Sequence, residues 1–287
     1  MKLRILLPIV AVALVTLACS ININLPERDV KTGPTQIETI SVPYLDPSAG
    51  TAEVTLAFGA GKLNLAPGDQ DALIAGTATF NVTDFQPDVI IEGDEIRIEQ
   101  GNLDLNGIPS FSGDLVNEWD LAIGNAPLEL TINAGAYSGK FELGGLSLQR
   151  LEINDGASEV DVSFSERNPA AMSLFRYTTG ASNITLEGLG NANCAQMLFR
   201  SGAGGYTLDF SGGLTRDMMV TIESGVSSIT IIVPEGTSAV LTTNGLLSVS
   251  ARGDWDEDGN TYTLLGDGPT ITIEVDMGAG NLILESE

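Results

Sequence analysis

From about residue 36 onward the chain alternates apolar and polar positions with a period of two, and no stretch sustains the 3.6-residue spacing of a helix. One phrase recurs within the alternation: an apolar residue, two others, Gly, a short flexible pair, then apolar positions four, six and often eight residues past the Gly. It reads as Leu56, Gly59, Leu63, Leu65; as Ile153, Gly156, Val160, Val162, Phe164; and as Tyr177, Gly180, Ile184, Leu186. Further copies are Phe199, Gly202, Tyr206, Leu208, Phe210, then Ile222, Gly225, Ile229, Ile231, Val233, and finally Val275, Gly278, Leu282, Leu284. A weaker copy starts at Ile132 and Gly135 and recovers with Phe141 and Leu143. The glycines at 135, 156, 180, 202 and 225 lie 21, 24, 22 and 23 residues apart, and Gly245 is a candidate for the next.

A fixed period of this size is the mark of a solenoid. Strict alternation makes each phrase a strand with one buried face, and the Gly marks a corner where φ is positive or where one chain passes close to the next. A coil of about 22 residues cannot bury its own apolar side, so coils must stack, each strand hydrogen-bonding to the coil above and below. The expected fold is therefore all-β, a single-stranded β-solenoid of coils of about 20–24 residues, with roughly eleven coils from residue 36 onward. A Greek-key sandwich is the competing architecture, but its turns usually fall about every 8–12 residues and would not repeat one Gly phrase. Val160, Val162, Ile184, Leu186, Leu208, Ile229 and Ile231 are expected to face one core, with Thr185 and Thr207 outside.

Residues 36–120 carry the phrase once and are expected to form an irregular N-terminal capping region, with strands at Ile37–Val42, Ala78–Val82, Val89–Ile91 and Glu95–Ile98. Trp119 stands where the regular repeats begin and reads as a core or capping aromatic, or as a platform for a sugar. The regular solenoid is expected over residues 121–287.

The front of the chain carries an address. Lys2 and Arg4 precede an almost uninterrupted apolar run from Ile5 to Val15, and Thr16-Leu17-Ala18 leads into Cys19, the order of an export signal over residues 1–18. The run is too short to cross a bilayer as a helix. A Cys directly after a small residue at the cleavage point resembles the bacterial lipoprotein lipobox, in which the Cys is lipidated and becomes the new amino terminus. Thr16 stands where that motif usually has Leu. An ordinary secretory signal cut near Ala18 is the alternative. Residues 19–35, with Pro26, Gly33 and Pro34, read as a tether. The expected location is extracytoplasmic, anchored to the cell membrane by lipid on Cys19.

Charge narrows the function. Thirteen Lys and Arg against 38 Asp and Glu give a net charge of −25, which becomes −27 once two cations leave with the signal. Such a chain lacks the basic footprint of a nucleic-acid binder and has little attraction to anionic lipid surfaces. No His is present, so imidazole relays, Ser-His-Asp triads and His-based zinc sites are excluded. After export only Cys194 remains, without a partner for an internal disulfide, and it reads as a small buried apolar residue or as a reactive thiol.

Leu56-Ala57-Phe58-Gly59-Ala60-Gly61-Lys62-Leu63-Asn64-Leu65, the segment Asn117 to Asn125, and Ile153-Asn154-Asp155-Gly156-Ala157-Ser158 resemble bacterial toast-rack proteins, from about Gln36 to the end of the chain. Val220 to Leu284, with Val233-Pro234-Glu235-Gly236, is also similar to the C-terminal domain of the cell-wall-active-antibiotic response proteins. The resemblance implies a stacked single-chain β-solenoid outside the membrane and, for some relatives, a link to envelope stress. It brings no catalytic residues. This chain also lacks the several transmembrane helices of the antibiotic-response proteins.

Three candidate chemistries remain. Asp254, Asp256, Asp258 and Asn260, around Gly259, have the D-x-D-x-D-G spacing of a calcium loop, although the twelfth position is Leu265 rather than a bidentate Glu. An exposed acidic turn is the alternative, and calcium is the one cofactor in view. Glu187 and Asp209 are expected on neighbouring coils, near the carboxylate separation of a glycosidase, but with aromatics at only 6 % and no cationic partner they are expected not to be catalytic. Gly202-Ala203-Gly204-Gly205 lies between strands, with no helix for a phosphate to cap. The functional expectation is a non-enzymatic envelope protein, a scaffold, adhesin or stress-linked binding module with an envelope protein or glycan partner. A carbohydrate-active enzyme using face carboxylates and a calcium-stabilised rod are the alternatives.

Overall fold

A strand that buries every second residue leaves both of its backbone edges to be paired, and a chain of similar phrases satisfies this by stacking them. The computed structural model describes residues 27–46, 50–68, 71–101, 108–111 and 113–286. Cys19 and the expected export signal lie outside the described residues. In chain order the strands are β1 (Glu27–Val30), β2 (Gln36–Val42), β3 (Ala52–Pro67), β4 (Ile74–Phe80), β5 (Pro87–Glu92), β6 (Glu95–Gln100), β7 (Ile108–Phe111), β8 (Asn117–Ile123) and β9 (Leu128–Glu142). Then come β10 (Leu148–Asn154), β11 (Ala157–Ser163), β12 (Met172–Glu187), β13 (Cys194–Asp209), β14 (Met218–Val233), β15 (Ser238–Arg252), β16 (Asp256–Asp258), β17 (Thr261–Leu264) and β18 (Thr270–Ser286). The described residues fall into two units. In the smaller, β1, within the expected tether, pairs in parallel with β7; the larger spans Gly33–Asn102 and Leu115–Glu287.

In the larger unit each long strand has two arms that meet at the Gly of the repeated phrase. Parallel ladders join coil to coil in both arms, with Tyr177 beside Phe199 and Ile222 before the Gly, and Ile184 beside Tyr206 and Ile229 after it. The arms of the coil between β9 and β12 are β10 and β11, parted at Asp155-Gly156. This is the stacked single-chain solenoid, and the parallel neighbours one period apart exclude a sandwich. Its core runs between the arms: Val160, Val162, Ile184, Leu186, Leu208, Ile229 and Ile231 are all buried, with Phe175, Tyr177 and Phe199 facing them from the first arms. Trp119 is fully buried, its ring edge-on to Phe58 at 5.2 Å between centroids, so it is a core aromatic and not a platform.

The order of coils departs from the order of sequence at both ends. Strand β18 lies between β14 and β15, so Gly225 meets Gly278 rather than Gly245, which faces Met277. At the other end β3 stacks directly on β9, and Gly59 lies under Gly135 although 76 residues separate them. Beyond β3, the second arm continues through β8, β4 and β2, the last two antiparallel, while the first arm continues through β6 and β5. Strand β3, inside the expected capping region, is thus a regular coil. The described residues make eight levels, β3, β9, β10 with β11, β12, β13, β14, β18 and β15, where roughly eleven were expected. Strand β4 ends at Phe80, two residues before the expected Val82, and the expected strands at 37–42, 89–91 and 95–98 fall within β2, β5 and β6.

The corner glycines correct one expectation and satisfy its alternative. Gly156, Gly180, Gly202 and Gly225 do not have positive φ; that conformation falls two residues later, at Gly204 (153°) and Gly280 (148°). The reason for Gly at the corner is close approach. A Cβ on Gly180, Gly202 or Gly225 would stand no more than 2.5 Å from the carbonyl oxygen of the corner glycine one coil away, whereas on Gly156 it would stand 3.1 Å from Gly135. Backbone cannot yield as a side chain can. Gly180→Ala and Gly202→Ala are each expected to destabilise by about 1–3 kcal/mol, and Gly156→Ala by clearly less. Urea unfolding of the three variants checks this, and equal costs at all three corners would refute the close-approach account.

Candidate functional site

Because alternate residues point outward and coils are in register, outward side chains form rows across the stack. On the second arm one row reads Asp120, Asn64, Lys140, Asp161, Thr185, Thr207 and Thr230, from β8 to β14. A neighbouring row begins with small residues, Ala66 on β3, Ala122 on β8 and Ala75 on β4, and the adjacent Gly76 on β4 is in register with the buried Leu121 of β8. Three adjacent strands without bulk make the sheet surface dip. The result is a groove of about 660 Å³ whose floor includes Ala66, Ala75, Gly76 and Ala122 and whose rim includes Asp120, Lys140, Glu142 and Asp161.

The rim is preorganised. Asn64 donates to the Asp120 carboxylate at 2.8 Å. The Glu142 carboxylate accepts from the Ser163 hydroxyl (2.7 Å), the Gly144 N–H (2.7 Å) and both the N–H and the hydroxyl of Ser165 (3.2 and 3.0 Å). Partial burial acts to raise its pKa, but these bonds outweigh it and hold the carboxyl below its ordinary value, so it stays ionised. Lys140 takes part in none of the five ion pairs among the described residues, and is exposed at the rim of the groove. A second groove of about 300 Å³, lined by Glu159, Asp161, Asn183, Thr185, Thr207 and Thr230, shares Asp161 with the first. Together they make one strip crossing the coils, apolar on its alanine floor and polar along its rim and in the second groove.

The first arm has a different character. Arg150 and Arg176, on adjacent coils, both pair with Glu152, and Arg200 pairs with Glu223 at 2.8 Å. Three of the chain's thirteen cations therefore stand on this arm, each paired with an acid. Inside the corner lies a polar cluster. Asp155 accepts from Tyr177 (2.8 Å), Tyr137 (3.3 Å) and Thr179, and Thr179 meets Ser182 at 2.5 Å, which in turn reaches Ser158 at 3.0 Å. Burial first, then nearby negative charge, pushes both tyrosine hydroxyls well above their ordinary pKa, so they remain donors.

Of the residues singled out from sequence, Glu187 and Asp209 do lie side by side, since Leu186 is in register with Leu208. Both oxygens of Asp209 are engaged by the Ser211 N–H (2.8 Å) and hydroxyl (2.9 Å), which makes it a turn-forming group. The candidate calcium-loop residues lie in and around an edge strand. Residues 256–258 form β16, in which Asp256 faces Thr263 and Asp258 faces Thr261, while the Asn260 amide donates to the Thr243 carbonyl at 3.0 Å. Among the described residues no three or more acidic or thiol groups converge as a metal site. Cys194 is buried, and loss of hydration pushes its thiol up to about 11, which makes it a poor nucleophile. The alanine floor and Lys140 escaped the sequence reading because the strands that bring them together are far apart in the chain.

Residues 30–175 match the family model described as the N-terminal domain of toast_rack, DUF2154. No curated protein matches the chain. Among solved structures it is similar to a "putative cell adhesion protein" from Clostridium sporogenes, at 19 % identity over 88 % of this chain and 100 % of that one, with a TM-score of 0.46. It is also similar to a "putative adhesin" from Bacteroides fragilis (10 % identity, 89 % and 99 % covered, TM-score 0.39). A third is a "putative lipid binding protein" from Parabacteroides distasonis (10 % identity, 89 % and 99 % covered, TM-score 0.39).

Proposed function

As the chain belongs to the toast-rack family, its N-terminal domain model spanning residues 30–175, we propose that it is a lipid-anchored, extracytoplasmic, non-enzymatic binding module that presents one face of a β-solenoid to an envelope protein or glycan. The observation that carries this reading is the strip on the second arm, where the alanine-floored groove and the threonine-lined groove meet at Asp161. Its side chains stand on strands locked by ladders on both sides, so the surface is rigid before any ligand arrives and little order is lost on binding. Hydroxyls, two amides and one lysine beside an apolar floor suit an elongated, largely polar ligand, and the strip's own carboxylates disfavour an anionic one. The anchor reading rests on the order Lys2, Arg4, apolar run, Ala18, Cys19.

Two measurements test it. With Cys19→Ala the protein is expected to leave the membrane pellet for the soluble fraction; retention in the pellet refutes the anchor. In capture of envelope protein and glycan fractions by the full chain, Ala122→Trp, which fills the groove, and Lys140→Glu are each expected to abolish the specific partner, while Thr131→Ala on the other arm leaves it in place. Capture unchanged in both groove variants would refute the strip as the binding face.

A further inference from the structure

The last coil is finished on one arm only. Strand β17 pairs with β15 over Ala239–Thr242, and β16 adds one strand beyond it, so the first arm extends two strands past β15. The second arm of β15, residues 246–252, pairs with β18 on one side, and on its other side no strand lies among the described residues. The consequence is visible in the core. Val249 and Ala251 are in register with Leu282 and Leu284, which are fully buried, yet Val249 is half-buried and Ala251 exposed; Leu247, at the next inward position, is also half-buried. Leu246 beside them is 81 % exposed.

Natural sheets protect their edges with charge, proline or bulges, because a row of unpaired N–H and C=O groups invites another strand. The other edges of this unit have such protection: Glu38 on β2; Pro87, Asp88 and Glu92 on β5; three acids on β16. Leu246-Leu247-Ser248-Val249-Ser250-Ala251 has neither charge nor proline, the one irregularity of register lies before it, at Gly245, and the single charge of the edge, Arg252 at its end, is paired with Glu285 on β18 at 2.7 Å. Glu257 then defines the chemistry of what fits. It faces Tyr262 across the β16–β17 pair and accepts its hydroxyl at 3.3 Å, so it points to the same inner side as Tyr262, toward the unfinished layer. Asp254, Asp256 and Asp258 flank it.

We propose that the outer edge of residues 246–252 is a strand-addition site for an extended segment of a partner protein, with apolar side chains at alternate positions and a Lys or Arg facing Glu257. The added strand pairs with the free backbone groups of β15, covers Val249 and Leu247, and supplies the cation that the acidic turn lacks. A second copy of this chain fits poorly, because edge-to-edge pairing brings two Asp254–Asp258 turns together and doubles the negative charge at the junction. The site is separate from the strip on the second arm's outer face, so either can fail without the other.

The test uses the full chain and two synthetic peptides of alternating Val and Thr, one ending in Lys and one in Glu. Amides of 246–252 that face away from β18 are expected to exchange hydrogen freely in the protein alone, and to slow by about tenfold or more with the Lys peptide but not with the Glu peptide. Glu257→Lys, an exposed change, should reverse the preference, and Val249→Lys should abolish protection by either peptide. Slow exchange in the free monomer, equal protection by both peptides, no protection by the Lys peptide, or protection that rises with protein concentration together with dimer sedimentation would each overturn the proposal.

Discussion

Trp119→Ala is expected to lower the free energy of unfolding by about 3–5 kcal/mol, among the largest effects of any single substitution in this chain. Its indole is fully buried, sits in register with Leu63 on one side and Ala78 on the other, and packs against Phe58. It thus joins the regular coil of β3 to the antiparallel strand β4. Among the described residues the indole Nε1 has no hydrogen-bond partner. Trp119→Phe removes that orphan donor and retains most of the ring volume, so its cost should be much smaller. Urea unfolding of the two variants checks the pair, and a similar loss for both would show that volume is not what matters at this position.

The second large effect is alkaline. In the unfolded chain a tyrosine ionises near pH 10, whereas in the folded protein Tyr137 and Tyr177 hold their protons well beyond that, chiefly through burial and also because of the Asp155 charge. Above pH 10 the unfolded state therefore binds fewer protons than the native state, and stability must fall as pH rises, by about 1.4 kcal/mol per pH unit for each tyrosine. Cys194 adds to this earlier. Its thiol is pushed up to about 11, so its contribution is lost from about pH 9 and levels off near 11. Tyr206, raised by burial as well, acts in the same direction. Stability should be flat from neutral pH to about 9 and then fall by several kcal/mol by pH 11–12. Tyr177→Phe is expected to lower stability at pH 7, since Asp155 loses a donor, but to make the alkaline slope shallower by about one proton. An unchanged slope in that variant would refute the coupling of this cluster to folding.

The inward positions of the repeated phrase were legible because period-two alternation reports which side of a strand is buried regardless of its partner. Trp119, read as a core or capping aromatic or as a sugar platform, was decided only by its burial. The binding strip was legible only in part. Thr185, Thr207 and Asp161 belong to consecutive coils and could be aligned by the period, whereas Ala66, Ala75, Gly76 and Ala122 come from three strands with different spacings. The acidic turn shows the limit of a motif: Asp254, Asp256 and Asp258 have the spacing of a loop, but antiparallel pairing of 256–258 with β17 draws Asp256 and Asp258 into a strand and sets Glu257, still exposed, beside Tyr262.

By itself the sequence determined that this protein is all-β, that its coils have about 22 residues, which side of each coil is buried, and that glycine must stand at each corner. These are local or near-neighbour properties, set by the alternation of side chains and by the repeat. Only the tertiary structure decided that β18 inserts between β14 and β15, that β3 meets β9, and that the last coil is left unfinished on one arm. Parallel coils have nearly interchangeable edges and cores, so hydropathy does not distinguish one neighbour from another; the choice is made by long-range hydrogen-bond pairing and close packing across the stack. The sign of φ at the corners was settled the same way, because a carbonyl oxygen from the adjacent coil, rather than the chain's own turn, is what excludes a side chain there.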